Sequence, residues 1–285
     1  MLAVNQPVLL ALATLVGLAG GSFLNVVILR LPRRLHFEWR QQCNELLEQK
    51  ELALEPPPDL VFTPSHCPQC KKRIRWYENI PVLSWLVLRG RCSGCGKSIS
   101  FQYPVVELIT GVLTVFLIAH YGLTTSGIAA VALTWGLIAL SGIDLREQLL
   151  PDVIIFPLLW LGLLLNTQAM FTDLSSAVIG AVAGYMSLWI VFQLFRLLTG
   201  KEGMGYGDFK LLAMFGAWFG WQMLPLIVVL SSFVGAVVGI MLVVLRGRDR
   251  NIPIPFGPYL AAAGWIAMVW GDQLLAGYLG VSGIG

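Results

Sequence analysis

The chain has 285 residues, 56% of them hydrophobic and only 12% charged. A soluble domain carries roughly 25% charged residues, so a water-facing fold is excluded and a multi-span protein surrounded by lipid bilayer is implied. The small formal net charge of +3, with its basic residues confined to short loops, excludes the basic face of a nucleic-acid binder.

Apolar runs near the ~20 residues needed to cross a bilayer recur along the chain. The first covers 7–29 and lacks the positive leading region of a cleaved signal, so it reads as a retained span. Residues 30–103 form one polar insertion. It opens with RLPRR and continues with a helix-like pattern over 37–54, which Glu55 and three prolines at 56–58 stop. Seven further spans follow at 104–120, 124–143, 153–165, 176–198, 211–221, 224–245 and 258–279. The fourth and sixth spans are short and must tilt, thin the membrane or sit against other helices. The expected fold is an all-α polytopic membrane protein of about eight transmembrane helices with one zinc-binding loop domain. Its parts are a first helix (1–29), the loop (30–103) and a seven-helix membrane domain (104–285). No internal repeat is visible.

Eight crossings put all 19 Lys and Arg on one side, in residues 30–97, 146, 196–210 and 246–250. The opposite loops hold none. The positive-inside rule makes the charged side cytoplasmic and places both termini in the periplasm.

Within the insertion, Cys67-Pro-Gln-Cys70 and Cys92-Ser-Gly-Cys95 are two C-x2-C pairs 21 residues apart. Four thiolates so spaced close a tetrahedral zinc site with no open position, hence a structural one. A reducing cytosol favours metal over disulfides. The βαβ context of a thioredoxin-type redox pair is missing. Cys43 reads as an ordinary helix residue.

Acidic groups beside membrane spans are costly and need a reason. Asp144 ends the third span and Asp208 opens the sixth, both at the cytoplasmic boundary. If they face each other, two carboxylates share one proton. The ionised partner then activates water while the protonated one polarises a scissile carbonyl. Gly203, Gly205 and Gly207 precede Asp208 and suit positive φ angles and an irregular edge for an extended peptide. Plainer readings stand beside these. Asp208 also fits a helix cap, Asp144 an interfacial charge near Arg146, and Asp152 a cap of the fourth span. Glu107, inside the second span, fits a pairing or sensing role as well as a buried structural hydrogen bond. The G-x-G-x-G run lacks a preceding strand and is no dinucleotide site. His36, His66 and His120 fall in unrelated settings.

GSFLNVVILRLP (21–32), both C-x2-C pairs, SISFQYPVVEL (98–108), IDLREQLLPD (143–152), GMGYGDFKLLA (203–213) and PIPFGPYLA (253–261) together resemble the type IV prepilin peptidases, in order and over nearly the whole chain. These are bifunctional leader peptidase/N-methyltransferases of the bacterial inner membrane. The resemblance implies that Asp144 and Asp208 are the catalytic aspartates. It implies prepilin and pseudopilin substrates, cut after a glycine that ends a short basic leader. It further implies methylation of the new N-terminus from S-adenosylmethionine. No Rossmann-type donor motif is present; Gly94–Gly96, Asn25 and Glu107 are the candidates for the donor site. Three other functions compete. A transporter would use the aspartates as ion sites, and a secretion-assembly scaffold would use the cysteine loop for docking. A presenilin-type protease would share the G-x-G-D but cut varied spans.

Overall fold

The computed structural model describes residues 5–47, 56–246 and 255–282. The expected end of the 37–54 helix and the Glu55 that stops it lie outside these residues. So do most of the basic 246–250 loop, the first two residues of the 253–261 motif and the extreme termini.

Among the described residues the regular structure is helical: α1 (Gln6–Leu46), α2 (Leu83–Val87), α3 (Gln102–Tyr121), α4 (Thr125–Glu147), α5 (Asp152–Asn166), α6 (Leu174–Thr199), α7 (Tyr206–Phe219), α8 (Leu224–Arg246) and α9 (Gly257–Ser282). Apolar helices stand at all eight expected positions. Five described segments, in α1, α3, α4, α6 and α8, are long and apolar enough to cross a bilayer. The chain divides into two compact units, Met1–Ala139 and Leu140–Gly285.

In the first unit, α1 does not stop at the expected loop boundary near residue 30 but runs on to Leu46 through Pro32. An interior proline removes one helical N–H and crowds the carbonyl four residues back, and here the extension has outside support. Arg30 donates to the carbonyl of Thr63 at 2.8 Å, and Arg34 pairs with Asp59 at 2.8 Å. The buried stripe of α1 includes Gly17, Gly21 and Asn25. A Cβ on Gly21 would come within 2.6 Å of the Glu107 Cα, and one on Gly17 within 2.8 Å of the Thr114 Cβ. Small residues let the two backbones approach, which is how helices associate in lipid, where hydrophobic burial no longer discriminates.

In the second unit, α7 packs against α5, α6 and α9. Its 14 residues span about 21 Å at 1.5 Å per residue, short of the hydrocarbon core. Apart from Lys210, every residue from Asp208 to Phe219 is buried. Of the three ways a short span can be accommodated, α7 takes burial against other helices. Gly180 and Gly216 lie backbone to backbone between α6 and α7, and a Cβ on Gly184 would come within 2.6 Å of the Leu212 carbonyl. The other end of α7 is held by α5. The Asn166 amide donates to the carbonyls of Ala217 and Trp218, each at 2.9 Å, and its oxygen accepts from the N–H groups of Phe171 and Thr172. The Trp218 indole donates to the Leu158 carbonyl at 2.8 Å.

Candidate active site and cysteine module

Asp144 lies in the last turn of α4 and Asp208 in the first turn of α7, both in the second unit. They are 5% and 7% exposed. The chain leaves α4 at Gln148, whose φ of 51° breaks the helix, and brings Leu150 inward before Pro151 starts α5. Leu150 is the hub of the site. A Cβ on Gly207 would meet the Leu150 Cβ at 2.7 Å, and one on Gly257 would meet its Cδ2 at 3.1 Å. The segment carrying Asp208 and the start of α9 therefore close on one side chain. Gly257 in turn donates its N–H to Asp144 Oδ2 at 3.0 Å. The segments that carry the two carboxyl groups therefore meet at Leu150 and Gly257.

Asp208 is not the N-cap residue of α7, although its carboxyl stands in the first turn. The N-cap of α7 is Gly205, and Asp208 sits three residues further on. Asp152 is not a cap either: Pro151 occupies that position, and Asp152 takes Lys210 on both oxygens at 2.8 Å. The glycines before Asp208 are not used for positive φ, which among the described residues of this stretch occurs only at Gly200. Gly203 and Gly207 instead admit Phe195 and Leu150 at contact distance. Phe209, beside Asp208, is clamped by the rings of Tyr185, Phe192 and Tyr206. Leu150 and Gly257 lie inside the 143–152 and 253–261 segments that carry the family resemblance, but neither was read as a site residue, and Asn166 lies in no such segment. A polar residue closing an apolar run, as Asn166 does, and a glycine between Phe256 and Pro258 were the available signals.

In the first unit the four Sγ atoms of Cys67, Cys70, Cys92 and Cys95 lie within 4.8 Å of one another, with Cys67–Cys95 and Cys70–Cys92 both at 3.9 Å. Tetrahedral coordination with metal–sulfur bonds of about 2.3 Å requires sulfurs roughly 3.8 Å apart, so the cluster suits a metal ion such as zinc. All four cysteines are free thiols. The two knuckles share one backbone design that the sequence did not show as a repeat. Lys71 and Gly96 both turn into positive φ and donate to the carbonyls of Cys67 and Cys92. Cys67 and Cys92 donate to the carbonyls of Lys72 and Lys97. The N–H groups of Cys95 and Gly94 draw the Cys92 thiol down, while against the pull of the Lys72 N–H burial and the neighbouring thiols push Cys70 up, as sulfurs sharing one site do. Gly96 thus has a structural role.

Glu107 is buried, and its Oε2 accepts the N–H of Val82 at 2.8 Å. Val82 is a β-branched residue at φ 60°, a conformation that costs about 1–3 kcal/mol and needs such support. Of the alternatives for Glu107, the structure displays the buried hydrogen bond. Asn25 donates to the carbonyls of Gly21 and Tyr103, while its Oδ1 is buried without a partner among the described residues.

Comparison with known proteins shows which family the chain belongs to. The description "Bacterial Peptidase A24 N-terminal domain" matches residues 15–121, and "Type IV leader peptidase family" matches 131–240. Proteins named prepilin leader peptidase/N-methyltransferase are similar over nearly the full length. The one from Stutzerimonas stutzeri is 52% identical, covering 98% of this chain and 96% of its own. Those from Pseudomonas aeruginosa and Legionella pneumophila are 52% and 44% identical, covering 98% of this chain and 97% and 98% of their own. No solved structure gives a significant match. With its two matched segments, its helical membrane fold and relatives of this identity along almost all of its length, the chain belongs to the type IV leader peptidase family.

Proposed function

We propose that this enzyme removes the basic leader from type IV prepilins and pseudopilins and then N-methylates the new N-terminus. The observation that carries the peptidase half is the convergence of Asp144 and Asp208 around Leu150 in one buried site. The carboxylate of one aspartate takes a proton from water as the oxygen attacks the scissile carbonyl. The protonated partner donates to the carbonyl oxygen. Collapse of the tetrahedral adduct breaks the C–N bond, and a proton passes to the leaving nitrogen. The products are a leader with a new carboxylate and a mature chain with a free amine. Neither the transporter nor the scaffold reading accounts for relatives named prepilin leader peptidase/N-methyltransferase along nearly the whole chain.

The 19 cations, all falling on one side of the eight expected crossings, support a bacterial inner-membrane protein whose 30–103 segment is cytoplasmic and whose termini are periplasmic. In that setting Cys67, Cys70, Cys92 and Cys95 hold a structural zinc. The purified protein is expected to carry about one zinc per chain, and Cys67→Ser or Cys92→Ser to carry almost none, as read by elemental mass spectrometry. Full zinc retention in either variant would remove the four-thiolate assignment.

When bound, S-adenosylmethionine supplies the methyl group for the freed amine. The unpartnered buried Oδ1 of Asn25 fits a hydrogen-bond donor on such a ligand, with Glu107 a second candidate on the same α1–α3 seam and Gly96 a third. Asn25→Ala is expected to weaken S-adenosylmethionine binding by about tenfold in calorimetry, and unchanged affinity would free Asn25 from that role. The function as a whole is tested by mass spectrometry of a prepilin incubated with the enzyme and S-adenosylmethionine. Leader loss plus one methyl group is expected. Leader loss alone would leave a peptidase, and an intact substrate would return the transporter reading.

A further inference from the structure

Within the dyad, Asp144 has a partner that peptide hydrolysis by two carboxyl groups does not in itself require, a main-chain amide inside the 253–261 segment. Gly257 opens α9, and its N–H meets Asp144 Oδ2 at 3.0 Å in a buried setting. At this position the amide is one of the first N–H groups of a helix, which have no acceptor within it, and the helix end favours negative charge. The site has been shaped around the bond. A Cβ at residue 257 would stand 2.7 Å from Asp144 Oδ2 and 3.2 Å from its Cγ, as well as 3.1 Å from Leu150. The backbone φ at Gly257 is not in the left-handed region, so the glycine serves closeness to the carboxylate and not backbone freedom. Asp208 has only a weaker counterpart. Its side chain is approached by the Gly205 amide, but no hydrogen bond of normal geometry joins them among the described residues.

We propose that Gly257 is a positioning residue of the dyad. Its main-chain N–H occupies Oδ2 of Asp144, orients Oδ1 toward the attacking water and stabilises the carboxylate, so that Asp144 is the water-activating base and Asp208 the proton-bearing acid. This rests on the dyad reading above. It extends that reading by dividing the roles between the two aspartates and by bringing α9 into the active site. A charge-assisted amide hydrogen bond that holds the base in its reactive form acts on the chemical step and leaves substrate binding aside.

The test replaces Gly257 by glycolic acid through suppressor-tRNA translation into nanodiscs, which turns one amide N–H into an ester oxygen and adds no side-chain atom. Leader cleavage of a prepilin, methylation of the pre-cleaved product, and cleavage by Asp144→Asn are measured in parallel. The expected result is a kcat for cleavage about 10- to 100-fold lower, with KM and methylation unchanged. An unchanged kcat, or a raised KM with kcat preserved, would overturn the proposal. Loss of cleavage and methylation together would also overturn it, because the bond would then be a folding contact. Gly257→Ala, which keeps the N–H but crowds Oδ2, is expected to lower kcat likewise; wild-type rates there would contradict the close fit. Wild-type cleavage by Asp144→Asn would remove the dyad itself, a failure separate from that of the Gly257 assignment.

Discussion

Asp144→Asn and Asp208→Asn are each expected to lower leader cleavage by about 100- to 10,000-fold, the range over which a positioned acid or base contributes. Asparagine preserves the shape of the carboxyl, and in Asp144→Asn the side-chain amide can still present its oxygen to the Gly257 N–H. Packing around Leu150 is therefore retained, and what is lost is the ability to take or give a proton. Because both groups belong to one reaction, the double variant should be little worse than either single one. Methylation of a substrate whose leader has already been removed should continue at the wild-type rate, which separates a chemical defect from a folding defect. Cleavage that persists in both single variants would refute an aspartyl mechanism.

Asn166→Leu is expected to produce the largest loss of stability, roughly 3–5 kcal/mol. Asn166 is 1% exposed and uses both ends of its amide. Its nitrogen caps two carbonyls at the end of α7, and its oxygen takes two N–H groups of the following turn. Leucine has a similar size but leaves these main-chain groups buried and unpaired, each costing about 1–3 kcal/mol when no water reaches it. The measurement is the temperature at which cleavage is irreversibly lost in detergent, compared with Thr167→Ala. Thr167 is exposed, and its hydroxyl bonds the Leu164 carbonyl of its own helix end, so that variant should stay near wild type. Equal inactivation temperatures for the two variants would mean that α7 does not depend on this cap.

These two expectations differ in how visible their residues were before the fold was known. Asp144 and Asp208 stand out in the sequence because charge is scarce near apolar spans, and any carboxyl there demands an explanation. The four cysteines stand out because paired C-x2-C spacing has few uses in a reducing compartment. Asn166 and Gly257 do not stand out. Each is an ordinary residue type at a helix end, and its importance comes from what lies opposite it in space. Glu107 lies between these cases. Its oddity was plain, but its partner, the N–H of Val82, is 25 residues away in the chain.

Composition and hydrophobic periodicity by themselves determined that the chain is a helical membrane protein, where its apolar helices lie and which residues could do chemistry. Those properties are local, set by transfer free energy and by donor atoms a few residues apart. Only the tertiary structure decided that α1 runs through Pro32 to Leu46, that α7 is enclosed by other helices instead of facing lipid, and that Leu150 and Gly257 complete the dyad. Those outcomes depend on contacts between distant segments, such as the backbone approach at Gly180 and Gly216 and the capping of α7 by Asn166. Packing between segments selects them, and no pattern within a single segment encodes them.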